Sequence, residues 1–297
     1  MTRARRSATS PAMNETAEIG HPEEEYRPEN DQRKPPSIWS RLRVLATLVI
    51  LALLVRSLVV APFNIPSRSM TPTMLVGDYL FAAKWPYGYS RFSLPLPGLW
   101  PEGRLGGGRP ERGDIVVFRS PADPDTSYVK RVIGLPGDRV RMSDGQLIIN
   151  GERVPRTQVS DFEEPAEDAG DCPVIPLGSA RLGSNADGQL TCFTPRYRET
   201  LPGGHSYFVL DAGDTTADTT QLFVVPEGHY FLMGDDRDRS ADSRFPPEPG
   251  GGVGLVPEDY IIGRALVIFW STDGSASWAN PVSWFSAARW DRIGHGY

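Results

Sequence analysis

The distribution of apolar residues divides the chain into three stretches of different character. From Met1 to about residue 37 the sequence is polar and charged, with Glu23-Glu24-Glu25 and few large apolar side chains. Such a stretch cannot bury enough surface to offset the entropy of ordering it, so a disordered tail is expected over 1–37. Val44 to Val55 then runs apolar, Arg56-Ser57 interrupts, and Leu58 to Phe63 resumes. This supplies about the 20 apolar residues a bilayer crossing requires, and one transmembrane helix is expected over 38–63. Arg56 within it costs about 2.5–3.5 kcal/mol on insertion scales, which a long side chain lessens by reaching toward the interface.

Beyond residue 63 the pattern changes to short alternating runs, the signature of strands. Asp114-Ile115-Val116-Val117-Phe118 and Arg139-Val140-Arg141-Met142 read as two of them, rich in β-branched and alternating residues. Asp144-Gly145 and Asn150-Gly151 tolerate positive φ at both central turn positions, so Leu147-Ile148-Ile149 should be the middle strand of a tight meander. Tyr230 to Met233 and Ile261 to Trp270 supply further strands, with Gly263 marking a bulge. Helical periodicity of comparable strength is absent. The fold class expected is mainly β: an antiparallel sheet or barrel over 64–297 behind one N-terminal helix. From about 155 to 204 the alternation dissolves into Asp, Glu, Gly and Pro, which predicts an inserted smaller β/loop subdomain. Gly88 to Gly113 reads as a second surface excursion.

Charge sets the topology. Arg33, Lys34, Arg41 and Arg43 flank the apolar segment on its N-terminal side, whereas Arg68 and Lys84 are the cations nearest behind it. The tail should therefore be cytoplasmic and everything after Phe63 extracytoplasmic. A cleaved secretory signal is the rival reading, because Val59-Val60-Ala61 has the small-residue spacing of a cleavage site. Pro62 opposes it, since a bond into proline offers no N–H to position a scissile strand. The net charge of −6, with no basic runs interleaved with aromatics, excludes a nucleic-acid surface. Cys172 and Cys192 lack the extra Cys or His neighbours of a zinc site, so no metal is expected and, outside the cytoplasm, one disulfide is. Trp85, Tyr87, Trp278, Trp284, Phe285 and Trp290, with Arg289 and Arg292, could dip into a membrane interface, although ordinary packing explains the aromatics equally well.

Candidate chemistry lies in two places. Just behind the apolar segment comes Ile65-Pro66-Ser67-Arg68-Ser69-Met70-Thr71-Pro72-Thr73, and some sixty residues later Tyr128-Val129-Lys130-Arg131-Val132. A serine hydroxyl is a poor nucleophile until a base removes its proton, and a lysine serves as that base when desolvation lowers its pKa from about 10.4 toward neutrality. The apolar neighbours of Lys130 predict a buried, neutral amine. His21, His205, His229 and His295 stand in no recognisable triad setting. No H-E-x-x-H site, paired-cysteine nucleophile or phosphate loop is present, and Asp236 to Arg244 fails as a calcium loop because Ala241 stands where glycine is needed.

These residues resemble the bacterial type I signal peptidases, membrane-bound enzymes that release secreted proteins from their signal sequences. The resemblance rests on Pro66-Ser67-x-Ser69-Met70-x-Pro72-Thr73, on Arg112-Gly113-Asp114-Ile115-Val116-Val117-Phe118, on Lys130 to Asp138, and on Gly234-Asp235-Asp236 through Arg244. Four blocks fall in the family's order over most of the chain beyond the tail. The resemblance implies Ser69 as nucleophile, Lys130 as general base, Ser67 as an oxyanion donor beside the Ser69 N–H, and Ser240 as the residue holding the lysine amine. It implies Phe63, Ile65 and Val129 as lining of pockets for small side chains, and Asp242 with Arg244 as a buttressing pair. No cofactor is implied. The implied partners are secreted preproteins and membrane lipid, with no nucleic acid, and the protein is expected to be a monomer. Its expected location is the bacterial cytoplasmic (inner) membrane, single-pass, with the N-terminus cytoplasmic and the catalytic domain periplasmic. Arg68 stands where the family often has glycine and is expected to point to solvent; Asp236 and Arg239 stand where it often has asparagine. Two other readings remain: a conjugation-type maturation peptidase with one dedicated substrate, and a catalytically inactive membrane-anchored binding protein.

Overall fold

The computed structural model describes residues 37–94, 102–166, 172, 179–277 and 279–297. All but residue 37 of the tail expected over 1–37, Trp278, and parts of both surface excursions lie outside the described residues. The chain divides into two units, Met1–Leu45 and Ala46–Tyr297.

One helix, α1 (Ile38–Leu58), carries the apolar segment, with a mean hydropathy of 2.0 and no buried side chain. At 1.5 Å per residue it is about 31 Å long, close to the ~30 Å of a hydrocarbon core. It is long and apolar enough to cross a membrane, which fits membrane anchoring. The sequence expectation carried this helix through Phe63; instead it stops at Leu58 and Val60–Asn64 forms strand β1. Lys84 Nζ donates to the carbonyls of Arg56 and Ser57, each at 3.1 Å, and Tyr89 Oη donates to that of Leu58 at 2.7 Å, satisfying groups that another turn of helix would have used. The next apolar residues pair with a neighbour strand, Val60 opposite Ala83 and Phe63 opposite Leu80.

The other strands are β2 (Asp78–Ala83), β3 (Tyr89–Ser90), β4 (Arg104–Leu105), β5 (Ile115–Arg119), β6 (Ser127–Gly134), β7 (Arg139–Ser143), β8 (Gln146–Ile149), β9 (Glu152–Arg153), β10 (Arg156–Gln158), β11 (Phe162–Pro165), β12 (Arg181–Ser184), β13 (Leu190–Thr194), β14 (Arg196–Thr200), β15 (Ser206–Leu210), β16 (Phe223–Val224), β17 (His229–Met233), β18 (Val256–Pro257) and β19 (Ile261–Ser271). Seven form the main antiparallel sheet in the order β1-β2-β19-β5-β6-β17-β18. The fold is thus mainly β behind one apolar helix, as the alternation predicts.

The meander is observed as β7-β8-β9, and its turns explain themselves. Asp144 (φ 49°), Gly145 (71°), Asn150 (55°) and Gly151 (89°) all adopt the left-handed region that two-residue hairpin loops demand. Gly263 sits at a register shift in β19, where a Cβ would overlap the carbonyl of Ala83. From β10 to β15 the described residues build two small sheets, β11-β13-β12, inside the stretch expected as an insertion, and β10-β14-β15, whose last strand lies beyond it. Cys192 on β13 is disulfide-bonded to Cys172.

Three apolar clusters fill the interior. One is built around Ile133, Leu147, Val209 and Phe231; a second around Ile65, Met70, Leu80 and Val117; the third around Val116, Phe118, Val132 and Tyr230. The second lies under the segment that follows β1 and therefore under Ser69.

Candidate active site

The residue pair singled out in the sequence meets across 61 positions. Ser69 lies in a short 3-10 turn, Arg68–Met70, held by Thr71 N–H donating to the Arg68 carbonyl at 2.8 Å. Met70, 1 % exposed, pins the turn to the second cluster. Lys130 lies on β6 opposite Val116 of β5, in the sheet interior. Its Nζ donates to Ser69 Oγ at 2.6 Å. Lys130 is 2 % and Ser69 6 % exposed, so the contact is nearly dry on the protein's side.

Burial pushes the Lys130 amine down to about 8, while the charges of Asp242 and Asp235 pull upward and that of Arg244 pulls down. The sequence expectation of a neutral amine is therefore met in direction but not in full: at pH 7 a group of pKa about 8 is neutral in roughly a tenth of molecules. The carboxylates, invisible as neighbours in the sequence, are the cause.

Ser67 is exposed, with its Oγ 3.3 Å from Ser69 Oγ. Ser240 is buried, and its hydroxyl helps hold the Asp242 carboxyl down without bonding to Lys130. Gly234 packs against both Ser240 and the Ser69 carbonyl so closely that a Cβ there would overlap each. The Asp236 N–H donates to that same carbonyl at 3.1 Å. Burial pushes the Asp236 carboxyl up to about 7 against the opposing pull of Arg239 and Arg68.

Asp242 and Arg244 form a buried pair, Arg244 Nε to Oδ1 at 2.8 Å and Nη2 to Oδ2 at 2.9 Å. Burial alone would raise the Asp242 carboxyl; the Arg244 charge and its hydrogen bonds outweigh it and hold the group below the usual carboxylate range. Asp242 Oδ2 also accepts the Gly234 N–H at 3.0 Å, so the pair fixes the segment that backs Ser69. Phe63, Ile65 and Val129 share the second apolar cluster, Ile65 buried and the other two half-buried.

One expectation is overturned. Arg68 does not point to solvent: its Nη1 donates to Glu164 Oε1 at 2.8 Å and its Nη2 to Oε2, a bidentate pair only 20 % and 14 % exposed. A planar carboxylate at the right distance outcompetes water for a guanidinium, and nothing in the sequence marks Glu164 as that neighbour.

Sequence reasoning also passed over two buried ion pairs. Arg131 chelates Asp235 through Nε at 2.8 Å and Nη2 at 2.7 Å. Arg237 meets Glu199 on β14 with Nη1 to Oε1 at 3.0 Å, and Tyr207 Oη donates to the same carboxylate at 2.8 Å. The available signal was an arginine directly after Lys130 and an aspartate directly after Gly234. Among the described histidines, His205 lies beside these groups, its Nε2 3.4 Å from Arg131. Of the described C-terminal aromatics, Trp284, Phe285 and Trp290 are exposed, with Phe285 stacked on Trp290 at 6.2 Å between ring centres.

Comparison with known proteins gives consistent findings. The family described as signal peptidase, peptidase S26, matches residues 38–270. Signal peptidase I of Rickettsia typhi is 35 % identical over 265 residues, covering 83 % of this chain and 89 % of that protein. Signal peptidase I of Rickettsia conorii is 34 % identical over 267 residues, covering 84 % and 89 %. A crystal structure of a signal peptidase I from Enterococcus faecalis is 26 % identical and covers 53 % of this chain and 97 % of that one, at a TM-score of 0.27, too loose a superposition to bear on the fold.

Proposed function

This chain belongs to the signal peptidase family, peptidase S26, and on that premise we propose that it is a membrane-anchored endopeptidase whose Ser69 and Lys130 remove N-terminal signal peptides from exported preproteins. The observation that carries the reading is the 2.6 Å contact between Ser69 Oγ and the Nζ of a buried lysine. A lysine beside a serine on a protein surface would stay an ammonium; one stripped of water has a neutral fraction at working pH.

In the proposed reaction the neutral Lys130 amine takes the Ser69 proton as Oγ attacks the carbonyl carbon of the scissile peptide. The carbonyl oxygen becomes an oxyanion, stabilised by the Ser69 N–H and the Ser67 hydroxyl, donors of a kind worth about 2.7–4 kcal/mol each. The Lys130 ammonium then protonates the leaving amine, the C–N bond breaks, and the mature protein departs, leaving the signal peptide as an ester on Ser69. Lys130, neutral again, deprotonates a water that hydrolyses the ester. The buried Ser240 hydroxyl is the group that steers the amine between these steps.

The substrate strand adds beside the catalytic strands, with side chains at −1 and −3 entering small apolar pockets edged by Phe63, Ile65 and Val129. α1 serves as a single-pass anchor in the bacterial cytoplasmic membrane. The N-terminal tail is cytoplasmic, residues from about 64 onward form the extracytoplasmic catalytic domain, and the protein works as a monomer in contact with lipid. Ser69 follows the end of α1 by eleven residues, which brings the nucleophile near the level where a signal helix leaves the bilayer. The reading is tested by incubating detergent-solubilised protein with several unrelated preproteins. Cleavage after small residues in most of them, lost in Ser69→Ala, is expected; cleavage of a single substrate, or of none, contradicts it.

A further inference from the structure

Arg68 is the residue between the two serines of the site, and its side chain reaches a strand 96 positions away. Its guanidinium grips Glu164 of β11 through both nitrogens. Glu164 lies opposite Cys192 of β13, the residue bridged to Cys172, so the carboxylate stands on a sheet that carries a disulfide. The turn carrying Ser69 is thus held on its main chain by the Asp236 N–H and through the Arg68 side chain by Glu164.

We infer that Glu164 is a positioning residue for the reaction: through Arg68 it fixes the orientation of the Ser67–Ser69 turn, so that the inserted subdomain helps to set the nucleophile. This rests on the reading of Ser69 as nucleophile given above. The physical case has three parts. A bidentate guanidinium–carboxylate pair fixes angle as well as distance, unlike a single hydrogen bond. The pair is mostly shielded from water, so screening weakens it less than an exposed one. The residue gripped is bonded on either side to a serine of the site, whose hydroxyls are 3.3 Å apart, and a displacement of about 1 Å at a reacting group costs on the order of 10²-fold in rate. Glu164 acts on the site through Arg68.

The test is a double-mutant cycle on the full-length protein in detergent, with Glu164→Ala, Arg68→Ala and the double variant. Steady-state cleavage of a preprotein is read together with hydrogen exchange of the peptide spanning residues 67–74. The expected result is a fall in kcat of about tenfold in each single variant with KM changed less than twofold, a double variant no worse than either single one, and faster exchange in the turn in all three, while the melting temperature of each stays within a few degrees of the parent. The charge-swapped variant, Arg68→Glu with Glu164→Arg, should recover part of kcat. The inference is overturned by unchanged kcat and exchange in Glu164→Ala, by losses that multiply in the double variant, or by a rate loss that follows the melting temperature. If the parent cleaves no preprotein while the turn still exchanges faster in Glu164→Ala than in the parent, the grip on the turn stands and the peptidase reading fails.

Discussion

Lys130 Nζ and Ser69 Oγ are 2.6 Å apart, yet they sit on opposite kinds of structure: the lysine in the middle of a sheet strand, the serine in a one-turn 3-10 segment just behind the first strand. The sheet supplies the dryness that lowers the amine, and the turn supplies exposure of the hydroxyl's neighbourhood to a substrate. Replacing Lys130 by Met keeps the volume and apolar packing of the stem while removing the base. Cleavage should fall by at least about 10²–10⁴-fold, with the near-ultraviolet circular dichroism of the parent retained.

The amine's position near pH 8 dictates the pH profile. The base works as the free amine, so kcat/KM should rise with pH through an apparent pKa near 8 and fall about tenfold for each unit below it. Asp242 pulls that value upward, and Asp242→Asn should therefore move the rising limb to lower pH. A limb that stays in place, or moves up, would show that a different group is being titrated.

Gly234 marks the tightest contact behind the nucleophile. A methyl group there would overlap the Ser69 carbonyl and the Ser240 hydroxyl together, and neither the main chain nor a buried serine can yield without moving the site. Gly234→Ala should lower kcat on the order of 10²-fold or more in a protein that still binds preprotein, as judged by competition in a cleavage assay.

Buried pairs next to the site should govern stability more than rate. Asp235 is fully buried against Arg131, and removing it strands a guanidinium without its counter-charge. Asp235→Ala should cost about 3–5 kcal/mol, measured by chemical denaturation of the protein in mild detergent.

The parts legible from sequence were those whose cause is local. Alternation gave the strands, Asp144-Gly145 and Asn150-Gly151 gave both hairpins because backbone φ is a property of those residues alone, and Gly263 announced its bulge. The end of the helix was misplaced by five residues because Val59 to Phe63 is as apolar as a span, and an edge strand and a membrane helix draw on the same residues. What separates them is Lys84, whose amine reaches back to the carbonyls of Arg56 and Ser57. The direction of Arg68 was misjudged for a related reason: its partner lies 96 residues on, in a segment without periodicity or motif. Long-range ion pairs such as Arg237 with Glu199 leave no trace in spacing, so their residues read as surface charge although both are buried.

The most direct test of the central claim is the cleavage of unrelated preproteins by the parent protein and by Ser69→Ala, followed by N-terminal sequencing of the products. The account predicts that the parent releases mature chains whose new N-termini follow small residues at −1 and −3 in most substrates, and that Ser69→Ala releases none. Cleavage that persists in Ser69→Ala, or a parent that cuts none of them, would contradict it.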